Sequence, residues 1–376
     1  MMSAFMRFLP ATYSFLQKSY ASIPKNIAGG KALPPLRLAF VITHRCNLKC
    51  AWCMVTDPRT KKTWDANNEI NAEEIEATIR QTRRYCMITI TGGEPFIRTD
   101  IVDILTRSSA LRPTHLVTNG TMPDRSHIRF LVDHGARSVI SPGMVTIGIS
   151  VEGPESIHDG IVGIPGSYSK TMGFIESLIS YRTTTRKRLP LIDVKVVLTR
   201  DNWKILPDLR RDIAALGADL MTVQIQNNQV SAYGIPMAAG ESHLTIPPAV
   251  PPIDGPSLHD MLAELKRDGV RSPGRIRFTP PINTTAFVSH YHGALGTEHL
   301  DCHATWTTAH VGPYGDLFPC FSISMGNIRN ASFNDIWNGP RYRAFRNALR
   351  KQGIFPGCIG CCMASPRTPK KRSEIR

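Results

Sequence analysis

His44-Arg45-Cys46-Asn47-Leu48-Lys49-Cys50-Ala51-Trp52-Cys53 sets three thiols on one short stretch, directly after the apolar run Leu36 to Thr43. The run reads as a buried strand, so the thiols fall on the loop at its C-terminal end. Parallel α/β sheets bind their ligands at that edge. Three thiolates on one loop suit an iron–sulfur cluster better than zinc, because structural zinc takes four protein ligands and the local set stops at three. One iron is then left without a protein ligand, and a small molecule can bind it directly.

Working outward, short apolar runs alternate with longer segments of helical period, the pattern of βα units around a largely parallel sheet. Strands are expected at Leu36 to Thr43, Met87 to Thr91, His115 to Thr118, Val145 to Val151, Val194 to Thr199 and Met221 to Gln226. Asn71 with Glu74 three residues on predicts a capped helix start, and further helices are expected at Asp100 to Ser109, Asp124 to His134, Tyr168 to Arg182, Trp203 to Leu216 and Ser257 to Arg267. Six units are too few to close an eight-stranded barrel. The expected fold is α/β, a partial (β/α)6 TIM-like barrel followed by a small Cys-rich α+β domain. The expected divisions are an aromatic, apolar leader at 1–35, the partial barrel at 36–230, a linker or barrel-closing region at 231–299, the cysteine domain at 300–362 and a basic tail at 363–376.

Composition narrows the class. Apolar residues at 42% and charged residues at 20% are those of a folded globular chain rather than a disordered one. No apolar run approaches the roughly 20 residues that cross a bilayer. Nine cysteines are an odd number for a disulfide framework and cluster at two places, which reads as metal binding in a reducing compartment. The expected location is cytoplasmic, with the leader as a point of membrane-surface contact. A net charge of +15 attracts anions in general and selects no partner. Cys86 reads as a buried small hydrophobe.

The cysteine loop, followed one strand later by Gly92-Gly93-Glu94-Pro95, resembles the radical S-adenosylmethionine (SAM) enzymes. In that family three such cysteines bind a [4Fe–4S] cluster whose fourth iron takes the amino and carboxylate groups of SAM. The resemblance implies Cys46, Cys50 and Cys53 as those ligands and Trp52 as the aromatic near adenine. It likewise implies Gly92, Gly93, Glu94 and Pro95 as the segment that holds the methionine ammonium. Glycines also fit a close backbone approach to a ligand with unpaired amide and carbonyl groups on offer, and Pro95 stops the strand. Asn119 in Thr118-Asn119-Gly120, and Ser150 and Glu152 in Ser150-Val151-Glu152-Gly153, match further cofactor-contacting strand ends. His158-Asp159 and Gly163-Ile164-Pro165-Gly166 match a loop in many members, but Gly160, Ile161 and Val162 stand where an arginine often occurs. His158 itself reads as structural.

Cys302, Cys320, Cys358 and Cys361 make a second set, complete enough on spacing alone for zinc or for a second cluster. With Gly315, Gly326-Asn327-Ile328, Ser332-Phe333 and Ile336-Trp337 the region resembles the SPASM extension of radical enzymes. With no further cysteines after Cys362, it resembles the shorter Twitch form. That implies an auxiliary [4Fe–4S] cluster, with Cys362 as an alternative to Cys361.

The resemblance implies an enzyme that reductively cleaves SAM to a 5′-deoxyadenosyl radical and abstracts hydrogen from a small metabolite or biosynthetic intermediate. The auxiliary cluster would assist oxidation or hold substrate, and a low-potential flavodoxin or ferredoxin would supply electrons. Two other enzymatic readings are a peptide-modifying maturase, against which no leader-peptide-binding domain precedes Leu36, and lipid or isoprenoid chemistry at a membrane surface. A zinc-dependent nucleic-acid-binding protein is the non-enzymatic reading. It leaves the three-thiol loop unexplained, and no nucleic-acid partner is expected. His290, Tyr291, His292 and His303 are polar candidates with no assigned role.

Overall fold

The computed structural model describes residues 17–53, 64–227, 244, 246–269, 273–320 and 323–367. The described chain enters in a helix, α1 (17–26), and its barrel part runs β1 (Arg37–Val41), α2 (Ala72–Arg80), β2 (Met87–Thr91), α3 (Ile101–Leu111), β3 (Pro113–Thr118), α4 (Arg125–Asp133) and β4 (Gly143–Ser150). It continues through α5 (Glu155–Val162), α6 (Ser167–Thr184), β5 (Leu191–Leu198), α7 (Leu206–Leu216), β6 (Leu220–Ile225), α8 (Gly255–Asp268), β7 (Arg275–Thr279) and α9 (Thr284–Tyr291). The C-terminal part holds β8 (Leu300–Asp301), α10 (Ala304–Thr307), β9 (Thr308–Val311), β10 (Asp316–Phe318), β11 (Gly326–Asn327), α11 (Phe333–Trp337), α12 (Pro340–Gln352) and β12 (Ser365–Pro366).

Strands β1 to β7 pair in parallel in sequence order, as the alternating pattern requires. The helix start at Asn71 is the expected reciprocal cap: Asn71 accepts from the Glu74 amide at 2.9 Å, and Glu74 accepts from the Asn71 amide at 2.9 Å. Two features exceed the sequence reading. Arg275–Thr279 is a seventh parallel strand, unrecognised because Arg-Ile-Arg-Phe-Thr carries charge at alternate positions. On the other side β9 pairs in parallel with β1, and β10 and β11 follow antiparallel, so the cysteine-bearing part extends the same ten-stranded sheet.

Side chains alternate across this sheet, apart from one register shift where β3 pairs with β4. Leu38, Phe40, Ile88, Ile90, Ile147, Val194, Val196, Met221 and Val223 are buried in the hydrophobic core with residues of the surrounding helices. The inner face instead carries Arg37, Thr89, His115, Lys195, Thr222 and Arg277, an unusually polar lining. Among the described residues the sheet runs from β11 to β7 without closing.

The segment before β1 crosses the C-terminal part. Ala21 is fully buried, Tyr20 donates to the Pro34 carbonyl at 2.8 Å, and the Trp337 indole donates to the Leu33 carbonyl at 3.0 Å. The aromatic residues Phe5, Phe8 and Phe15 of the leader lie outside the described residues, and no described helix is long and apolar enough to cross a membrane. Arg346 fastens this layer. Fully buried, it stacks 4.2 Å from the Trp337 ring and 4.1 Å from the Tyr342 ring. It also donates to the carbonyls of Thr305, Trp337 and Gly30 at 2.8, 2.8 and 3.2 Å.

Replacing Arg346 with methionine keeps the aliphatic stem but strands those carbonyls. Denaturant unfolding of the Arg346→Met variant is expected to show a loss of about 3 kcal/mol; a loss under about 0.5 kcal/mol would show that the fastening is ornamental.

Candidate iron–sulfur and cofactor site

The thiol loop leaves β1 at its C-terminal end and is held by backbone on two sides. On one side the Ile42 amide donates to Thr91, the Gly93 amide to Thr43 and the Glu94 amide to Arg45, at 2.8, 2.8 and 2.9 Å. A Cβ at Gly92 would lie 2.6 Å from the Thr43 carbonyl oxygen, and one at Gly93 would collide with that of Arg45. The glycines are therefore needed for strand-to-loop contact. The sequence reading offered their amides to a ligand, whereas the Gly93 and Glu94 amides are already spent on the loop.

On the other side the Lys49 amide donates to Val162 at 2.9 Å and the Ala51 amide to Ile161 at 3.0 Å. These acceptors are the last carbonyls of α5, orphaned by the helix end. His158 and Asp159, expected in a loop, lie in this helix, which Gly163 terminates at φ +70°. Positions without the usual arginine thus hold the loop through their backbone. Asp159 accepts from the Gly166 and Tyr168 amides at 2.6 and 2.8 Å, fixing the turn into α6. His158 accepts from the Glu152 amide at 3.1 Å, the expected structural role.

Side chains complete the mounting. Thr43 and Arg45 donate to Glu69 at 2.5 and 2.9 Å. Buried Arg98 donates to the carbonyls of Ile42 and Ile70, both at 2.9 Å, and forks onto Asp100. Sequence reasoning missed Glu69 and Arg98, which belong to no motif. Glu94 is fully buried, and its carboxylate accepts from the Phe96 amide, the Thr118 hydroxyl and the Asn119 amide at 3.0, 2.8 and 2.7 Å. Burial pushes its pKa up to about 7, while these donors pull it down. Its side chain thus ties the ends of β2 and β3 together.

Asn119 reaches the Asn47 side chain at 2.9 Å and Cys46 Sγ at 4.0 Å, and the Leu48 amide donates to Cys46 Sγ at 3.4 Å. The three thiols interact electrostatically, and burial raises the Cys46 pKa to about 11 and Cys50 further. Such thiols become thiolates when a metal supplies the compensating charge. The Trp52 indole nitrogen is buried without a partner. Ser150 ends β4, and Glu152, 2% exposed, accepts from the Val197 amide at 2.9 Å, with burial raising its pKa to about 8. These residues line one sheet edge and could hold a cluster and its ligand.

The second thiol group comes from the residue after β8 (Cys302), the end of the β10 region (Cys320) and the segment between α12 and β12 (Cys358 and Cys361). Cys302, Cys320, Cys358 and Cys361 form one electrostatically linked set, each buried or half-buried. Burial raises Cys302 to about 11 and Cys358 and Cys361 further. Cys362 acts electrostatically on Cys361 and, besides its burial, also feels Arg37 and Lys195. No disulfide joins any of the nine cysteines, all of which are described, and Cys86 is buried in the core. Among the described residues no three His, Cys, Asp or Glu side chains converge on a point suited to a single metal ion. Tyr291 and His290 are buried against the end of β6, where Tyr291 accepts from the Gln226 amide at 3.0 Å and His290 meets the Gln226 carbonyl at 2.8 Å. His303 bonds Ser365 at 3.0 Å.

Replacing Glu94 with glutamine turns an acceptor oxygen into a donor facing the Thr118 hydroxyl or the Asn119 amide. The Glu94→Gln protein is expected to lose about 2 kcal/mol in denaturant unfolding and to take up less iron at the loop. Native stability together with native loading would contradict the tie.

Residues 40–204 match the Radical SAM superfamily, and residues 302–362 match SPASM, an iron–sulfur cluster-binding domain. The antilisterial bacteriocin subtilosin biosynthesis protein AlbA of Bacillus subtilis is 24% identical over 354 residues, 89% of this chain and 69% of AlbA. A tungsten-containing aldehyde ferredoxin oxidoreductase cofactor-modifying protein of Pyrococcus furiosus is 23% identical, covering 89% of each chain. PqqA peptide cyclase of Rhodopseudomonas palustris is 24% identical, covering 82% of this chain and 76% of the cyclase. Among solved structures, Streptococcus suis SuiB superposes with a TM-score of 0.60 at 16% identity, over 93% of this chain and 81% of SuiB, a likeness of fold. The chain therefore carries a radical SAM domain at residues 40–204 and a SPASM-type iron–sulfur domain at residues 302–362, with a [4Fe–4S] cluster and SAM as the cofactors of the radical SAM superfamily.

Proposed function

We propose that this protein is a peptide-modifying radical SAM enzyme, with Cys46, Cys50 and Cys53 holding the SAM-binding cluster and Cys302, Cys320, Cys358 and Cys361 the auxiliary one. The observation that carries the substrate class is the extent of likeness: AlbA and PqqA peptide cyclase match over 89% and 82% of this chain, well beyond the length of the barrel alone. The equally extensive likeness to a cofactor-modifying protein favours a second reading, a small biosynthetic intermediate as substrate.

When bound, the cluster and SAM supply an electron for reductive cleavage and a 5′-deoxyadenosyl radical that removes hydrogen from an unactivated C–H bond. The chain's part is placement. Backbone bonds from both sides fix the loop, the Leu48 amide stabilises sulfur charge at Cys46, and Trp52 presents an aromatic surface beside Cys53. The Gly92–Pro95 segment and Asn119, Ser150 and Glu152 surround the edge at which SAM would lie. A second cluster on the auxiliary thiols would take up an electron from a substrate radical, and a low-potential protein donor would supply the first cluster.

Anaerobically reconstituted protein is expected to carry about eight irons and eight sulfides, and a variant with alanine at Cys46, Cys50 and Cys53 about four of each. That variant should form no 5′-deoxyadenosine; formation at the native rate would overturn the ligand assignment. Short peptides encoded beside the gene, deuterated at their side-chain carbons, should pass deuterium to 5′-deoxyadenosine. Transfer from a deuterated small metabolite with none from any peptide would replace the first substrate reading with the second.

A further inference from the structure

The inner face of the sheet, below the cofactor edge, holds more positive charge than the described residues neutralise. Arg277 and Lys195 both donate to Asp193, at 2.6 and 2.8 Å, and Thr222 donates to the same carboxylate at 2.6 Å. Asp193 is fully buried and already saturated by these donors. Arg37 faces the same layer from β1 and has no carboxylate partner among the described residues; its Nε donates to the Thr89 hydroxyl at 2.9 Å. Among the described residues, three cations against one carboxylate leave two positive charges without a counter-ion. Half-burying cations in this way costs free energy unless an anion joins them.

His115 sharpens the reading. The Thr89 hydroxyl, which accepts from Arg37, also lies 3.4 Å from His115 Nδ1. With the hydroxyl donating there, the neutral ring carries its proton on Nε2, and this atom is buried without a partner. Arg37, Lys195 and Arg277 all act on this imidazole and, with its burial, keep it uncharged. Gly148 makes room for the arrangement: a Cβ there would collide with the Lys195 side chain and lie 3.2 Å from His115 Nε2. The layer is reachable, since Lys195 and Arg277 keep 20% and 36% of their side-chain surface exposed although they lie on the inner face. The Cys362 thiol faces Arg37 and Lys195 from the loop that carries the auxiliary ligands.

We propose that this layer is a substrate-anchoring site that binds a carboxylate of the substrate, with Arg37, Lys195 and Arg277 supplying charge and His115 Nε2 a directed hydrogen bond. In a peptide substrate the carboxylate is that of an aspartyl or glutamyl side chain. The inference deepens the proposed function and rests on the radical-enzyme assignment, but holds equally for a peptide or a small carboxylic acid. An anchor on the inner face would hold the substrate beneath the edge where the radical forms and limit which C–H bond it meets.

The probe is N-acetyl-L-glutamate α-amide, compared with its neutral isostere N-acetyl-L-glutamine α-amide. Both are titrated into the reconstituted two-cluster protein with and without saturating SAM. The carboxylate probe should bind about tenfold more tightly than the isostere, and this preference should survive saturation with SAM. Arg37→Gln and Arg277→Gln should each reduce it about tenfold, whereas Arg211→Gln, on the exposed face of α7, should leave it intact. Arg37→Gln keeps the Asp193 pairs, so it reports even where loss of Arg277 disturbs folding. Equal binding of the two probes would overturn the proposal, as would displacement of the acid by SAM, which would assign the cations to the cofactor's own carboxylate. Formation of 5′-deoxyadenosine in the same samples shows separately whether the radical-enzyme assignment stands.

Discussion

Two backbone hydrogen bonds, from the amides of Gly93 and Glu94 to the carbonyls of Thr43 and Arg45, are the constraint on which the site depends. They carry the parallel pairing of β1 and β2 one step past the strands, so the thiol loop begins in a fixed direction. Side chains at positions 92 and 93 would force the two segments apart. From this start the loop runs to the end of α5, whose unsatisfied carbonyls at Ile161 and Val162 take the amides of Ala51 and Lys49. A segment with little regular structure is thereby held at both ends by backbone groups that would otherwise need water.

The same economy governs the rest of the molecule. The C-terminal part extends the sheet through β9, and the loop bearing Cys358, Cys361 and Cys362 faces the inner side. The auxiliary thiols and the cofactor edge are thus parts of one framework. Arg346, packed between Trp337 and Tyr342, binds the incoming segment to this framework and lies close to the second thiol group: Tyr342 feels both Cys302 and Cys320. The inner face is polar while the outer is apolar, the division expected when one face packs helices and the other handles a ligand.

Much of this was legible in the sequence because period and punctuation agreed. Met87–Thr91 is the expected strand to the residue, and Asn71 with Glu74 forms the expected reciprocal cap. The two thiol groups were readable from spacing, whereas the influence of Arg37 and Lys195 on Cys362 is one that adjacency in sequence cannot show. β7 escaped notice because its alternating arginines look like a solvated segment until the inner face is known to be polar. Helix α5 escaped because Gly160 and the nearby Gly163 and Pro165 read as a loop. Glu69, Arg98 and the Arg37–Thr89–His115 relay were invisible for a different reason: each joins residues far apart in the chain through single side chains, leaving no local pattern.

The most direct measurement is electron–nuclear double resonance on the reduced protein, with SAM labelled with nitrogen-15 at its amino group and oxygen-17 at its carboxylate. If three protein thiolates leave one iron open, both labels should couple strongly to the cluster nearest Cys46, Cys50 and Cys53. Coupling should persist when the auxiliary cysteines are replaced. No coupling from either label, with the cluster fully loaded and SAM bound, would contradict the account.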